Sequence, residues 1–164
     1  MQHHLNIFPS IVNTILEVIN SMIGIITAII SGIAMSIQGV FNTRLGEKVG
    51  VFETTVIVQG IALVCALVVS FFLGKGSYSL IKEANKLYLL GGVLGVVITF
   101  TVMKSVARMG PTVGIGTILV AQLLSAAIID AFGLFDSEKV SFSIHNFIGI
   151  SLMIIGIVVF QWRH

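Results

Sequence analysis

The stretch from Val18 to Thr43 reads VINSMIGIITAIISGIAMSIQGVFNT and decides the fold class, because its 26 residues include no Asp, Glu, Lys or Arg. The hydrocarbon core of a bilayer is about 30 Å thick, and a helix needs roughly 20 apolar residues to cross it. This stretch is long enough and apolar enough to do so. It predicts a membrane-spanning helix near 22–41.

Four further runs lack those charged residues, at 54–74, 87–103, 109–129 and 140–162. Each run has 17 to 23 residues, which is within the range for one crossing. A transmembrane β-barrel would need shorter segments that alternate apolar and polar residues. We therefore expect an all-α membrane protein with five transmembrane helices. The predicted spans lie near 22–41, 54–73, 87–103, 111–131 and 146–161.

The composition favours the same class. Hydrophobic residues make up 56% of the 164 residues and charged residues only 10%, whereas about 25% charged is usual in a soluble domain. Too few charges remain to cover a water-facing surface, so an ordinary soluble enzyme is excluded. A single cysteine excludes a disulfide scaffold. The nine Lys and Arg form no basic stripe that would indicate nucleic acid.

Catalysis inside a membrane needs a nucleophile with a base, a pair of acids or a metal cluster at depth. The four histidines lie at or beyond the ends of the predicted spans, and neither HExxH nor GxSxG occurs in the sequence. We therefore expect no enzymatic activity, no catalytic residue, no metal and no cofactor.

Residues 1–21 differ from the spans, because Pro9, Glu17 and several asparagines interrupt the apolar pattern. Two interpretations stay open: an interfacial amphipathic helix, or an extension upstream of the first span. The segment lacks the basic start and the cleavage site of a signal peptide. The connections between spans are too short for a soluble domain, so we expect one five-span transmembrane domain over 22–164.

The cations are almost evenly divided between the two sides of the membrane. With five spans, the side of the N-terminus carries Lys75, Lys82, Lys86 and Lys139, and the other side carries Arg44, Lys48, Lys104, Arg108 and Arg163. Orientation normally follows an excess of Lys and Arg on the cytoplasmic side. Either one loop or the N-terminal segment decides the orientation, or the chain inserts both ways and two copies form an antiparallel dimer of ten spans. A separately encoded antiparallel partner also fits.

Small residues mark the faces on which the helices are expected to pack, because helices in lipid associate through close approach and polar contacts. These faces comprise Gly24, Ala28, Gly32 and Ser36 in the first span, Gly91 and Gly95 in the third, and Gly149, Met153 and Gly156 in the fifth. They predict a packed bundle or a dimer rather than a binding site.

Polar side chains inside a bilayer are costly unless they are paired, so they are candidates for a substrate pathway. The candidates lie in the first, second and fourth spans: Ser31, Met35, Gln38, Asn42, Gln59, Thr117, Gln122 and Ser125. Amides both donate and accept hydrogen bonds, which suits a neutral or weakly polar solute in an aqueous cavity. The alternative is hydrogen bonding between helices.

Glu53 and Asp130 are the acids nearest to the span interiors, since Glu53 opens the second span and Asp130 closes the fourth. In an antiparallel dimer, Asp130 of one copy lies on the same side as Arg44 and Glu53 of the other. A gate built from such pairs, or proton coupling through Asp130, is one hypothesis. The alternative is an interfacial acid held by Lys or Arg.

Two motifs resemble a known family. The first is QGVFNTRLG at 38–46, and the second runs from AQLLS at 121–125 to IDAFGLF at 129–135. Together they resemble the YdcZ-like family of short bacterial inner-membrane proteins, which belongs to the drug/metabolite transporter (DMT) superfamily. The glycines of the fifth span also resemble the dimer seam in the last helix of small multidrug-resistance transporters.

The resemblance implies a five-helix half of a secondary transporter, which works in the bacterial inner membrane as an antiparallel pair with a second copy or a related chain. Inverted repeats of this kind often hold their substrate near the bilayer midplane. One departure limits the comparison. Small multidrug-resistance exporters carry a glutamate in the first span, and this chain has no acid between Val18 and Thr43. The alternative function is a membrane assembly subunit that transports nothing.

Overall fold

The computed structural model describes residues 7–140 and 143–162, and within these ranges every regular element is a helix. The four α-helices are α1 Ile7–Val49, α2 Val51–Leu73, α3 Leu90–Phe132 and α4 Ile144–Gln161. Short 3-10 helices lie in the connections at Tyr78–Lys82, Lys86–Leu89 and Leu134–Asp136. The prediction of an all-α chain is confirmed.

Within the described ranges, three helical segments are long and apolar enough to cross a membrane. They are Val12–Val49, Val51–Leu73 and Lys86–Phe132, with mean hydropathies of 2.0, 2.7 and 2.0. The last helix is a shorter apolar segment, Ile144–Phe160. The five predicted spans all lie within helical segments, and two of them, 87–103 and 111–131, lie within Lys86–Phe132.

The long helix α3 is broken at Gly110, whose φ of 74° and ψ of 166° are not helical. Glycine adopts a positive φ without a steric penalty, and Pro111 then suits the first position of the next helical segment because its missing N–H has no helical partner there. A Cβ on Gly114 would lie only 3.1 Å from Ser105 Oγ and 3.3 Å from the Ser105 carbonyl carbon. In an unbroken helix these residues would be about 13 Å apart. The chain therefore turns back sharply at Gly110, between the halves 90–109 and 111–132.

The two connections that the sequence places between spans at 44–53 and 104–110 are mostly helical. Helix α1 continues through Arg44 to Val49, and the first half of α3 continues through Lys104 up to Gly110. Charged residues end an apolar run without ending a helix, because Lys and Arg are good helix formers. The breaks fall instead at Gly50 and Gly110, which both have a positive φ.

From Ile7 onward, the segment before the first predicted span is part of α1, which continues into that span without a break. Pro9 lies in the first turn of this helix, where proline is tolerated because the N–H that it lacks would have no partner. Both interpretations of this segment remain predictions.

The chain divides into two compact units, one ending at Gln38 and the other beginning at Gly39. In the first unit, the side chains from Val12 to Gln38 are exposed except for the half-buried Ser36. Two of its hydroxyls bond to their own helix: Thr27 Oγ1 donates to the carbonyl of Ile23, and Ser36 Oγ donates to that of Gly32, each at 2.9 Å. Such bonds satisfy a hydroxyl where no water is present.

In the second unit, α3 is the central element and its two halves contact different neighbours. The rings of Phe52 on α2 and Phe100 on the first half of α3 stack with their centroids 5.2 Å apart. On the second half, a Cβ on Gly116 would lie 3.5 Å from Ile157 Cδ1 of α4. The described core centres on Met103, which is 1% exposed.

The small residues predicted to pack behave in two ways. A Cβ on Gly95 would lie 3.5 Å from Gln59 Nε2, so Gly95 is at the contact between α2 and α3. Open space surrounds the Cβ positions of Gly24, Gly32, Gly91, Gly149 and Gly156. Their packing against a second chain therefore stays a prediction.

Candidate functional site

A cluster of buried polar side chains lies where the end of α1 and the start of α2 meet the middle of α3. Its members are Asn42, Thr43, Thr54 and Thr55, all at most 8% exposed. Thr43 Oγ1 donates to the carbonyl of Gly39 at 2.7 Å, and Thr55 Oγ1 donates to that of Val51 at 2.8 Å. The sequence predicted only Asn42 as a candidate here, because threonines at the ends of apolar runs carry no distinctive signal.

Thr54 is the exception within this cluster. Thr54 is 0% exposed, and its hydroxyl has no hydrogen-bond partner among the described residues. The side chain packs close to Gly46, whose Cβ position lies 3.8 Å from Thr54 Oγ1 and 3.4 Å from Met103 Sδ. An unpaired buried hydroxyl lowers the free energy of unfolding, so removing the Thr54 hydroxyl should have a measurable effect on stability.

A cavity of about 230 Å³ lies beside the cluster, between the end of α1 and the turn of α3 at Gly110. Thr43, Arg44 and Glu47 line it from α1. Arg44 Nη1 donates to Glu47 Oε2 at 3.1 Å, but both side chains are at least half exposed, so this ion pair contributes little to stability. The predicted gate residue Glu53 folds back over Gly50 at the start of α2.

No hydrogen bond among the described residues joins any two of the predicted pathway residues. Gln59 Nε2 instead donates to Thr99 Oγ1 of α3 at 3.4 Å. Thr117 Oγ1 bonds to the carbonyl of Val113 on its own helix at 2.8 Å. The contact of Gln59 is hydrogen bonding between helices, the alternative that the sequence left open.

Gln122 and Ser125 are exposed in the second half of α3. At 100° per residue, Ser125 points away from Ala127, which lines a cavity against α4, whereas Gln122 lies one turn before Ala126, which lines the same cavity. Ser31, Met35 and Gln38 are likewise exposed on α1.

Asp130 is half-buried near the end of α3 and lines a cavity of about 550 Å³ against α4. His145 and Asn146, at the start of α4, line the same cavity. The described lysines and arginines form no ion pair with Asp130, whose side chain has no hydrogen bond within the described ranges. His145 was not among the candidates predicted from the sequence, because a histidine at a span end is usually interfacial.

A hydrogen bond from the Tyr88 hydroxyl to Asp136 Oδ2 links the connection before α3 to the connection after it. Tyr88 precedes α3, and Asp136 follows it in the 3-10 helix Leu134–Asp136. Phe135 and Asp136 both have a positive φ, of 58° and 63°. The hydrogen bond therefore holds the connection after α3 against the residues that precede α3.

Long apolar helices, a one-residue turn between two helical halves and buried polar groups at helix contacts define a multi-pass helical membrane protein. The chain belongs to the YdcZ family of the DMT group, which is described as a candidate inner-membrane exporter, since the family profile matches residues 23–159. The resemblance seen in the sequence motifs is therefore confirmed. No curated protein and no solved structure matches the chain significantly.

Proposed function

We propose that the protein is one half of a secondary transporter that moves a small solute across the bacterial inner membrane as an antiparallel dimer. The observation that carries the proposal is the membership of the YdcZ family over residues 23–159. The family is described as an exporter of the inner membrane, which favours transport over a purely structural role.

The sharp turn at Gly110 supports five spans. Each half of α3 has at least 20 residues and is therefore about 30 Å long, which matches the hydrocarbon core of a bilayer. A chain that turns back between two such halves crosses the membrane twice. With one crossing each for α1, α2 and α4, the total is five, and the two ends of the chain lie on opposite sides.

Antiparallel pairing is supported by the balance of cations on the two sides and by the surfaces that the single chain leaves exposed. The face of α1 with Gly24 and Gly32 offers close approach to another helix. An inverted second copy would also bring further polar side chains to Gln122 and Ser125. In this proposal the solute binds near the midplane, between the two copies.

Transport and topology are tested separately. A C-terminal tag should be accessible from both faces of the membrane, in roughly equal amounts, if the chain inserts both ways. Accessibility from one face only would eliminate the self-paired dimer, although a related chain of opposite orientation would remain as the partner.

Liposomes that contain the purified protein should release preloaded small solutes faster than equally loaded liposomes without the protein. Replacing Gln122 with Leu should slow the release. Replacing Thr101 with Val should not, because the Thr101 hydroxyl bonds to the carbonyl of Val97 on its own helix and is not a pathway candidate. If no solute moves although the protein is folded and dimeric, the alternative of a membrane assembly subunit is preferred.

A further inference from the structure

We propose that the cavity between the second half of α3 and α4 binds an ammonium group carried on an apolar body. The cavity has a volume of about 550 Å³, which is within the range of sites for drug-sized molecules. The site is distinct from the proposed midplane site and does not depend on transport.

The walls of the cavity are apolar along most of their length. Leu123, Ala126 and Ala127 line it from α3, and Ile150 and Met153 line it from α4. Ile150 and Met153 are half-buried. Gly149 also lines the cavity, and open space surrounds its Cβ position. These walls accept a hydrocarbon group without requiring any hydrogen bond from it.

The polar groups gather at one end, where Asp130, His145 and Asn146 line the cavity. The Asp130 carboxylate is the only charged side chain among the described lining residues, and it has no described partner. Asn146 Oδ1 accepts a hydrogen bond from Ser143 Oγ at 3.3 Å and retains a second lone pair. A neutral imidazole also offers one acceptor nitrogen. A ligand with several N–H donors and a positive charge matches the chemistry of these three groups.

The charge of the neighbouring connection selects a cation over an anion. Between the end of α3 and the start of α4 the sequence places Asp136 and Glu138 against Lys139 alone, and Asp130 adds a further negative charge. In the low dielectric near a membrane, an unpaired carboxylate gains more from a cation than it does in water.

The test measures binding of 1-adamantylamine and of 1-adamantanol to the full-length protein in phosphatidylcholine nanodiscs by equilibrium dialysis. The two probes have the same compact apolar cage, and only the amine carries a charge at neutral pH. The amine should bind about tenfold more tightly than the alcohol, the difference expected for one charge-assisted hydrogen bond.

Asp130→Asn should abolish this preference and leave binding of the alcohol unchanged. Glu138→Gln is the matched control, because it removes one negative charge from the same connection at a residue that does not line the cavity, and it should keep the preference. If Asp130→Asn keeps the preference, or if Glu138→Gln loses it equally, the proposal is overturned.

A second variant tests the walls independently of the charge. Gly149→Leu should fill the cavity and weaken binding of both probes about tenfold. Unchanged binding of both would also overturn the proposal. Including phosphatidylethanolamine in the nanodiscs distinguishes the source of the ammonium group, because a lipid that occupies the site lowers the apparent affinity for the amine severalfold. Binding is measured without transport, so failure here would leave the proposed function standing.

Discussion

Replacing Thr54 with valine should stabilise the protein, although Thr54 is 0% exposed. Valine has almost the same shape as threonine, with a methyl group in place of the hydroxyl. The Thr54 hydroxyl has no described partner, and a buried hydroxyl without a hydrogen bond costs about 1–3 kcal/mol. Removing it avoids that cost and leaves the packing against Gly46 and Met103 in place. We expect a gain of about 1–2 kcal/mol in the free energy of unfolding.

Thr55→Val is the matched control, one residue further along α2. Its hydroxyl donates to the carbonyl of Val51 at 2.8 Å, so the same chemical change removes a bond that is present. We expect a loss of up to about 1 kcal/mol. Thr54→Ala should be destabilising, because it leaves a cavity next to Met103.

The measurement is reversible unfolding of the purified protein in mixed micelles of a mild detergent and SDS, followed by far-ultraviolet circular dichroism. The free energies of the three variants are compared at one SDS fraction within the transition. A loss of more than about 1 kcal/mol in Thr54→Val would show that the hydroxyl has a partner in the folded protein, and the reasoning would fail. Equal effects of Thr54→Val and Thr55→Val would refute it as well.

The same unfolding assay tests three further changes. Gly114→Val should cost about 1–3 kcal/mol because its Cβ would contact the other half of α3 at 3.1–3.3 Å, whereas Gly91→Ala, at an open position, should cost under about 0.5 kcal/mol; equal costs would contradict the turn. Gly110→Ala should cost about 1–2 kcal/mol because φ is 74° there, and no cost would mean a different backbone. A double-mutant cycle of Gln59→Leu and Thr99→Val should give a coupling energy of about 0.6 kcal/mol between the two side chains. A coupling energy of zero would show that their 3.4 Å hydrogen bond is absent.

The membrane class and the places of the apolar segments could be predicted from the sequence, because both follow from the spacing of charged residues. The interruption of α3 at Gly110 directly precedes Pro111, and a Gly–Pro pair is a strong local break that can be read from the sequence. Helix α1 and the first half of α3 continue past Arg44 and Lys104, because these residues mark the edge of an apolar run and not the end of a helix.

The candidate site was less predictable, because contacts between helices depend on their register and rotation. Gln59 was recognised as a polar residue in mid-span, but nothing in the sequence pairs it with Thr99, 40 residues away. Asp130 and His145 likewise line one cavity only because the connection after α3 lets α4 pack against the second half of α3. The unpaired hydroxyl of Thr54 is a result of packing alone, and no sequence pattern predicts it.

The one-residue turn at Gly110 also bears on how the chain enters the membrane during synthesis. If both halves of α3 cross the bilayer, as in the proposed five-span arrangement, a link of one residue leaves neither half free to cross without the other. The two halves then insert together as a hairpin, with both ends of α3 on one face of the membrane. In that arrangement neither half of α3 can reverse its orientation by itself.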